Sequence, residues 1–314
     1  MTEETSPKFE TFVIEDAITC DDLIKTKLGG AKFVGFDCEW IKKKKISLIQ
    51  IATLETVLLI RVKQMVITEC LERFLQDSSV IKFGVSISRD GEKMMTDFKM
   101  PLEGKVDLRK LMNHSKPYQE YFWKKIQEHE RELQSKKQFN PRFNMLEERR
   151  SWRPRQGLGA LSETLLNISM DKSLDLRAGD WNCKVLSPEQ MKYAALDAWA
   201  ALKIAHCLAS PNLNPNLKIS DIELKLAGIC KPVMDRPFND RTDFAELMHV
   251  IYKEHPELKI KEYLPAKPAT HLSKALRRRL KREEVLREIS ESEGEDEEIP
   301  EIRRAASPHQ QTCY

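Results

Sequence analysis

The stretch FVGFDCEW, residues 33–40, decides the fold. Its aromatic and β-branched residues predict a strand, in which alternate side chains face opposite sides. One side would carry only apolar side chains, and the other would carry Gly35 with the carboxylates of Asp37 and Glu39. Two negative charges on an otherwise apolar strand are costly to bury, so a bound cation is one explanation. The alternative is an edge strand whose carboxylates face water.

Further strands and helices are predicted on both sides of this strand. Residues 46–52 and 56–62 would complete an antiparallel meander, and residues 9–16, 80–86 and 105–108 predict three more strands. One helix is predicted to begin with a capping box at Thr19-Cys20-Asp21-Asp22. Two more are predicted over residues 67–76 and 88–98. Alternating strands and helices indicate an α/β layer structure.

Three other polar residues stand in places that suit a functional site. Asp90 falls where a predicted strand passes into a helix, although an acid there can also simply favour the helix N-terminus. Tyr193 and Asp197 are four residues apart, hence on one face of a helix that Ser187-Pro188-Glu189-Gln190 begins as a capping box. They could be surface residues, but this helix is apolar nearly all round, and an acid on a buried helix needs a partner.

Three motifs in order resemble the DEDDy branch of the DnaQ-like 3′–5′ exonucleases, which includes the RNase D family and the exonuclease domain of the Werner syndrome helicase. They are FDCEW (36–40), KFGVSISRD (82–90) and YAALD (193–197). The resemblance covers about residues 9–209, and the intervening text is most similar to the exonuclease 3′–5′ domain-containing proteins. It implies an RNase H-like α/β fold, with a mixed sheet flanked by helices.

The resemblance also implies the site and its chemistry. Four carboxylates would hold two Mg²⁺ or Mn²⁺ ions, and a tyrosine would hold the attacking water; the residues are Asp37, Glu39, Asp90, Asp197 and Tyr193. The expected activity is hydrolysis of DNA or RNA from a 3′ end, single-stranded or overhanging, to release 5′-mononucleotides. The alternative is a catalytically silent module on the same fold that binds nucleic acid or recruits a partner.

A basic helical insertion at about residues 114–156 separates the second and third motifs. Residues 116–155 hold eleven Lys/Arg, six Asp/Glu and seven aromatic residues, a composition that suits single-stranded nucleic acid. Lys124 and Lys125 are candidate contacts there, although the aromatic residues could instead pack on the core. A turn containing Lys42, Lys43 and Lys44 either contacts phosphates or only aids solubility. The resemblance also places three further residues near the entering strand. Lys172 and Arg177 would contact phosphates, and Trp181 would stack or pack there.

Cysteine usage and the N-terminal sequence predict a protein of a reducing compartment that is not secreted. Seven cysteines are scattered without a CxxC pair, which argues against a zinc ribbon or a disulfide scaffold. No apolar run reaches ~18 residues and the N-terminus does not resemble a signal peptide, so we expect neither secretion nor a membrane span. The basic run at residues 277–282 predicts a nuclear location, with the cytoplasm as the alternative.

The expected organisation has four parts. A flexible N-terminus (1–8) precedes the exonuclease domain (9–209). A linker with a small helical appendage follows (210–265), in which residues 243–254 would form a helix that docks on the domain. The charged tail (266–314) is expected to be disordered, because its acidic, serine-containing segment lacks core-forming residues. The insertion and the C-terminal tail are candidate surfaces for protein partners.

Overall fold

The computed structural model of the chain describes residues 7–139, 156–170, 173, 176, 178–210 and 219–254, all within one compact unit, Met1–Leu264. Several features named above lie outside the described residues: Lys172, Arg177, the second half of the insertion, and the tail with its basic run. The described part contains a sheet of six strands: β1 (Glu10–Ile14), β2 (Phe33–Trp40), β3 (Ile46–Ala52), β4 (Thr56–Ile60), β5 (Ile81–Gly84) and β6 (Lys105–Asp107).

The strands lie in the order β1-β4-β3-β2-β5-β6. β2, β3 and β4 form the predicted antiparallel meander, whereas β1 pairs with β4, β5 with β2, and β6 with β5 in parallel. The strand that carries the two carboxylates is therefore central in the sheet. The predicted mixed sheet flanked by helices, as in RNase H-like proteins, is confirmed.

Helices connect and cover the strands. Their bounds are α1 (Ala17–Lys27), α2 (Glu69–Gln76), α3 (Ile87–Phe98), α4 (Leu108–His114), α5 (Lys116–Phe139), α6 (Leu158–Leu161, continued by a π-helical turn Ser162–Leu166), α7 (Pro188–Ala209), α8 (Ile219–Cys230) and α9 (Asp240–Glu254). The capping box at Ser187 and Gln190 is confirmed. The one predicted at Thr19 is wrong: Asp16 accepts from the backbone N–H of Thr19 at 2.9 Å, so α1 begins earlier.

The two faces of the sheet are buried against different helices. On one face, Phe36 and Cys38 of β2 pack in a core with α1, α2 and α3. The other face packs on α7, a helix buried along most of its length. Because side chains alternate along β2, Asp37 and Glu39 lie on the α7 face. Within the described residues, no helix is long and apolar enough to cross a membrane.

The insertion and the appendage both contribute to the core. Three apolar side chains of α5 are buried, namely Tyr118, Phe122 and Ile126, so packing accounts for these two aromatic residues of the insertion. The expected docking helix is confirmed as α9, where Asp243 pairs with Lys110 at 2.9 Å. Asp235, which precedes α9, covers the edge of β6 by donating its backbone N–H to the Lys105 carbonyl at 2.7 Å.

Gly35 sets the spacing between the sheet and α7. A Cβ atom added at this glycine would lie 1.7 Å from the carbonyl oxygen of Ala198 and 3.2 Å from the backbone nitrogen of Leu202. Backbone atoms of a buried helix cannot move aside as a flexible side chain can. The absence of a side chain at residue 35 is therefore what lets α7 approach β2 so closely.

We expect Gly35→Ala to force α7 away from the sheet and to destabilise the fold. Overpacking a core costs about 1–3 kcal/mol, and a backbone clash belongs at the upper end or beyond. At about 2–4 °C per kcal/mol for a domain of this size, the melting temperature should fall by about 6–12 °C in a thermal scan.

Gly228→Ala on α8 is the matched control, because a Cβ there meets no atom within 4 Å. It should leave the melting temperature unchanged or raise it, since alanine favours a helix by about 0.5–1 kcal/mol over glycine. Equal melting temperatures for Gly35→Ala and the parent protein would contradict the argument.

Candidate active site

A carboxylate cluster lies between β2 and α7. β2 presents Asp37 and Glu39 on its α7 face, and α7 supplies Asp197 from its middle. Each of the three offers a carboxylate oxygen, and these oxygens lie within 4.8 Å of one another. Asp197 is buried, while Asp37 and Glu39 are half-buried. The structure thus brings together residues that are about 160 positions apart in the sequence, and the water-facing edge strand is not the arrangement found.

Asp37 is the first of the two carboxylates that β2 contributes. Its Oδ1 accepts a hydrogen bond from the backbone N–H of Cys38 at 2.9 Å. Burial raises its pKa to about 6, and the Cys38 bond offsets only part of that rise. Asp37 forms no ion pair with a lysine or arginine in the part of the chain that the structure describes. Its charge is therefore a cost to the folded protein unless a cation binds.

Asp90 lies in the first turn of α3, next to the end of β5. It is buried and stands outside the group of three within 4.8 Å. Burial, and after it the negative charge of Asp37, raises the pKa of Asp90 well above its ordinary value. A carboxyl group placed only to favour the helix N-terminus would face water. The charge of Asp37 contributes to the raised pKa of Asp90, which indicates that Asp90 lies near the cluster.

Tyr193 lies one turn before Asp197 on α7, on the same face of the helix. Burial, and then the charges of Asp197 and Glu39, raises the pKa of Tyr193 above its ordinary value. The phenol is therefore protonated at neutral pH and acts as a donor. The sequence predicted that Tyr193 and Asp197 share one helical face, and in the structure that face lies towards Asp37 and Glu39.

Trp181 supports Tyr193 from the preceding loop. The two rings lie 6.1 Å apart between centroids, and Trp181 is 1% exposed. That burial favours packing over stacking on a substrate. Arg61 holds the same loop: its Nη1 donates to the Lys184 carbonyl at 2.6 Å and pairs with Glu15 at 2.7 Å. A second anchor is the hydrogen bond from Ser47 Oγ to Asn182 Oδ1 at 2.6 Å.

Sequence reasoning missed two residues that hold the site together. Gly35 controls the approach of α7, and its signal was a glycine inside an otherwise apolar strand. Arg61 is 3% exposed and fixes the loop before α7; its signal was a charged residue directly after the apolar run of β4. Asp107 is another buried acid. Its carboxylate accepts hydrogen bonds from Arg109 and from the backbone N–H of Ser86, and it does not belong to the group of three.

The basic residues proposed to contact nucleic acid fall into separate groups. Lys42, Lys43 and Lys44 are exposed on the turn after β2, at the end of the strand that carries Glu39. Lys125 is exposed on α5, where it pairs with Glu128 at 2.7 Å and lies over the Tyr121 ring. Its neighbour Lys124 is also exposed. The turn is therefore the group that β2 connects directly to the carboxylate cluster.

The cluster suits a divalent cation. Carboxylate oxygens are the ligands that Mg²⁺ and Mn²⁺ prefer, and no histidine or cysteine belongs to the group of three. A cation bound by Asp37, Glu39 and Asp197 would compensate three converging negative charges.

The family model described as 3′-5′ exonuclease matches residues 12–211. The human "Exonuclease 3'-5' domain-containing protein 2" is 28% identical over 236 residues, covering 70% of this chain and 33% of the relative. Its Drosophila melanogaster counterpart is 31% identical over 183 residues, covering 55% of this chain and 24% of the relative. The chain thus spans a third or less of the length of these relatives.

A solved structure, the EXD2 exonuclease domain soaked in Mn, is 24% identical with a TM-score of 0.31, covering 73% of this chain and 100% of the other.

We expect Asp37→Asn to stabilise the cation-free protein, because it removes a buried negative charge from a repelling cluster. In EDTA at pH 7.5 the free energy of unfolding should rise by about 1–3 kcal/mol, measured by thermal or urea unfolding. Mn²⁺ should raise the melting temperature of the parent protein and should raise that of the variant much less.

The pH dependence of stability is a second test of the same two proteins. The folded parent keeps a proton on Asp37 below about pH 6, whereas the unfolded chain takes one up only near its ordinary pKa of 3.8. The cation-free parent should therefore become more stable as the pH falls from about 7 towards 4, with a smaller rise in Asp37→Asn. Asp22→Asn, at an exposed position on α1, should match the parent throughout. An unstabilised Asp37→Asn would show that the charges do not repel.

Proposed function

The chain belongs to the 3′–5′ exonuclease family, and from that premise we propose that it hydrolyses nucleic-acid phosphodiester bonds from the 3′ end and releases 5′-mononucleotides. The observation that carries the proposal is the convergence of Asp37, Glu39 and Asp197 within 4.8 Å, with Asp90 and Tyr193 beside them. The substrate class is nucleic acid as a whole, since this chemistry acts on a phosphodiester that DNA and RNA share.

Two Mg²⁺ or Mn²⁺ ions fit the set of donors. Asp37 would contribute to both, and Glu39, Asp90 and Asp197 would complete the ligands. When bound, such ions supply an activated water and compensation for the charge that develops on the phosphate. Four carboxylates carry more negative charge than a single divalent cation neutralises, which supports the proposal of two ions.

Tyr193 has a different task from the carboxylates. Its raised pKa keeps the phenol protonated at neutral pH, so it cannot abstract a proton from water unaided. The Trp181 ring packs beside the Tyr193 ring, with 6.1 Å between the centroids, and so helps to position the hydroxyl group. We assign Tyr193 the role of orienting the attacking water and relaying a proton.

The turn containing Lys42–Lys44 is the proposed phosphate contact. Its base is held on two sides, because Ile46 donates its backbone N–H to Asp97 at 2.8 Å and Ser47 bonds Asn182. Lys43 has a positive φ of 66° in a turn closed by the Lys44 N–H to Ile41 carbonyl bond of 2.8 Å. A fixed row of cations beside the carboxylates suits the backbone of an entering strand.

Protein partners and a nuclear location remain proposals from the sequence. The insertion and the tail are the partner surfaces we propose, and the basic run at 277–282 is the proposed import signal.

Asp197→Asn should reduce cleavage to background, because it removes a cation ligand while keeping the shape of the side chain. Tyr193→Phe should be slower by about 10²-fold, the lower end of the range for proton-transfer groups, without being inactive. The assay is a time course on matched 5′-labelled and 3′-labelled single strands with Mn²⁺ or Mg²⁺. The 3′ label should appear at once as a mononucleotide, and the 5′ label should give a descending ladder.

Asp22→Asn serves as the control and should cleave like the parent. Cleavage in EDTA at the rate seen with Mn²⁺ would rule out the cation-dependent mechanism. A 5′-labelled product that appears first as a mononucleotide would reverse the assigned polarity.

Joint substitution of Lys42 and Lys44 by alanine should weaken substrate binding and leave the maximal rate nearly unchanged, because no carboxylate moves. Lys43 is left in place, so that the residue with the positive φ in the turn is unchanged. If each lysine neutralises one phosphate, the slope of log affinity against log salt should become shallower by about 1.4 for single strands. The binding measurement uses the inactive Asp197→Asn background.

The charge-matched control replaces Lys25 and Lys32, two exposed lysines on α1 and just before the opposite end of β2. It should keep the parental salt slope. If the two double variants behave alike, the turn serves solubility and not binding.

A further inference from the structure

Gln50 lies beside Asp37 on the neighbouring strand. In the antiparallel pairing of β2 with β3, Asp37 is directly opposite Gln50, and Gln50 is in turn opposite Leu59 of β4. Directly opposed residues point to the same face of a sheet, with Cβ atoms about 4.5–5.5 Å apart. The Gln50 side chain therefore lies on the α7 face, next to the carboxylate that is central to the proposed cation site.

The amide of Gln50 is buried without a hydrogen bond. The residue is 0% exposed, and neither Oε1 nor Nε2 has a partner among the residues that the structure describes. Apart from Asp37, its same-face neighbours along and across the strands are apolar, namely Leu48, Ala52 and Leu59. An unpaired buried amide costs about 1–3 kcal/mol, so an apolar side chain of the same size would serve the cation-free fold better.

Another buried glutamine shows the ordinary arrangement. Gln119 of α5 is 9% exposed and donates from Nε2 to the Asn113 carbonyl at 2.6 Å. That amide has a structural bond that accounts for its burial. Gln50 has none, and the polar group that its strand pairing sets beside it is the Asp37 carboxylate. An unsatisfied buried group of this kind calls for a functional explanation.

We infer that Gln50 is a positioning residue for Asp37, and that its amide N–H donates to the Asp37 carboxylate when a divalent cation is bound. The inference rests on the proposed function, because it needs the cation. Asp37 has acceptor positions beyond the one that the Cys38 N–H fills. A donor at this point would fix the plane of the carboxylate and so direct its remaining lone pairs to the ion.

The neutrality of the amide is what suits it to this position. A lysine or arginine here would pair with Asp37 and compete with the cation for the same charge. A glutamate would add another repelling carboxylate. Glutamine offers a donor without altering the net charge of the cluster, so that Asp37 is oriented and the cation still meets its full negative charge.

The competing explanation is structural. Trp181 also has a buried indole N–H without a partner, and it belongs to the same layer between the sheet and α7. A buried water shared by Gln50 and Trp181 would satisfy both groups and would stabilise the core with or without a cation. The two explanations differ in what removal of the amide does to the stability of the cation-free protein.

The experiment compares Gln50→Met with Gln119→Met and the parent, all as the full chain. Methionine keeps the unbranched shape of glutamine and removes the amide. Three quantities are measured: the melting temperature in EDTA, the Mn²⁺ dissociation constant by calorimetry, and kcat and KM on a 5′-labelled single strand.

For Gln50→Met we expect an equal or higher melting temperature in EDTA, Mn²⁺ affinity lower by about 10–100-fold, and a lower kcat with KM within about twofold. Gln119→Met should show the opposite split, with a lower melting temperature and parental Mn²⁺ affinity, because it loses a satisfied bond far from the cation.

Parental Mn²⁺ affinity in Gln50→Met, at any melting temperature, would overturn the inference. A lower melting temperature with unchanged affinity would establish the structural explanation. If Gln50→Met does not fold, Gln50→Leu replaces it; failure of both variants to fold would also overturn the inference, which requires the amide to be dispensable for the cation-free fold. A parent protein that neither binds Mn²⁺ nor cleaves would refute the proposed function itself.

Discussion

The close approach of α7 to β2 at Gly35 is the constraint on which the rest of the structure depends. The strand and the helix are far apart in the chain, and each carries part of the acidic cluster. With no Cβ at residue 35, the Ala198 carbonyl can lie against the strand, and the residue before it, Asp197, then reaches Asp37 and Glu39. Any side chain at residue 35 would widen the gap and separate the carboxylates.

The same approach creates an electrostatic cost that the fold has to carry. Burial raises the pKa of Asp37 to about 6, and it raises that of Asp90 as well. Apolar burial on both faces of the sheet, together with the Arg61 and Ser47 anchors of the loop before α7, holds the charges in place. The folded protein thus gives up stability to bring these carboxylates together, as is common where function requires repelling groups.

Patterns that are local in the sequence predicted the fold well. Alternation along residues 33–40 gave the correct facing of Asp37 and Glu39, and the Ser187–Gln190 capping box gave the start of α7. Residues that act between distant elements were not predictable in this way. Nothing near Gly35 or Arg61 in the chain indicates that Ala198 or the 183–184 carbonyls will be their neighbours. At α1 two local candidates competed, and the Asp16 side chain, which bonds Thr19, determined the start.

The contact between Asp235 and the edge of β6 has a consequence for fragments of this protein. A fragment that ends with α7 would lose the two hydrogen bonds between Asp235 and the backbone of Lys105. It would also uncover the apolar surface under Leu226 and Leu247. An open strand edge beside exposed apolar surface is a template for intermolecular pairing. The smallest portion that avoids such pairing on expression should therefore extend through α9, well past the third motif at residues 193–197.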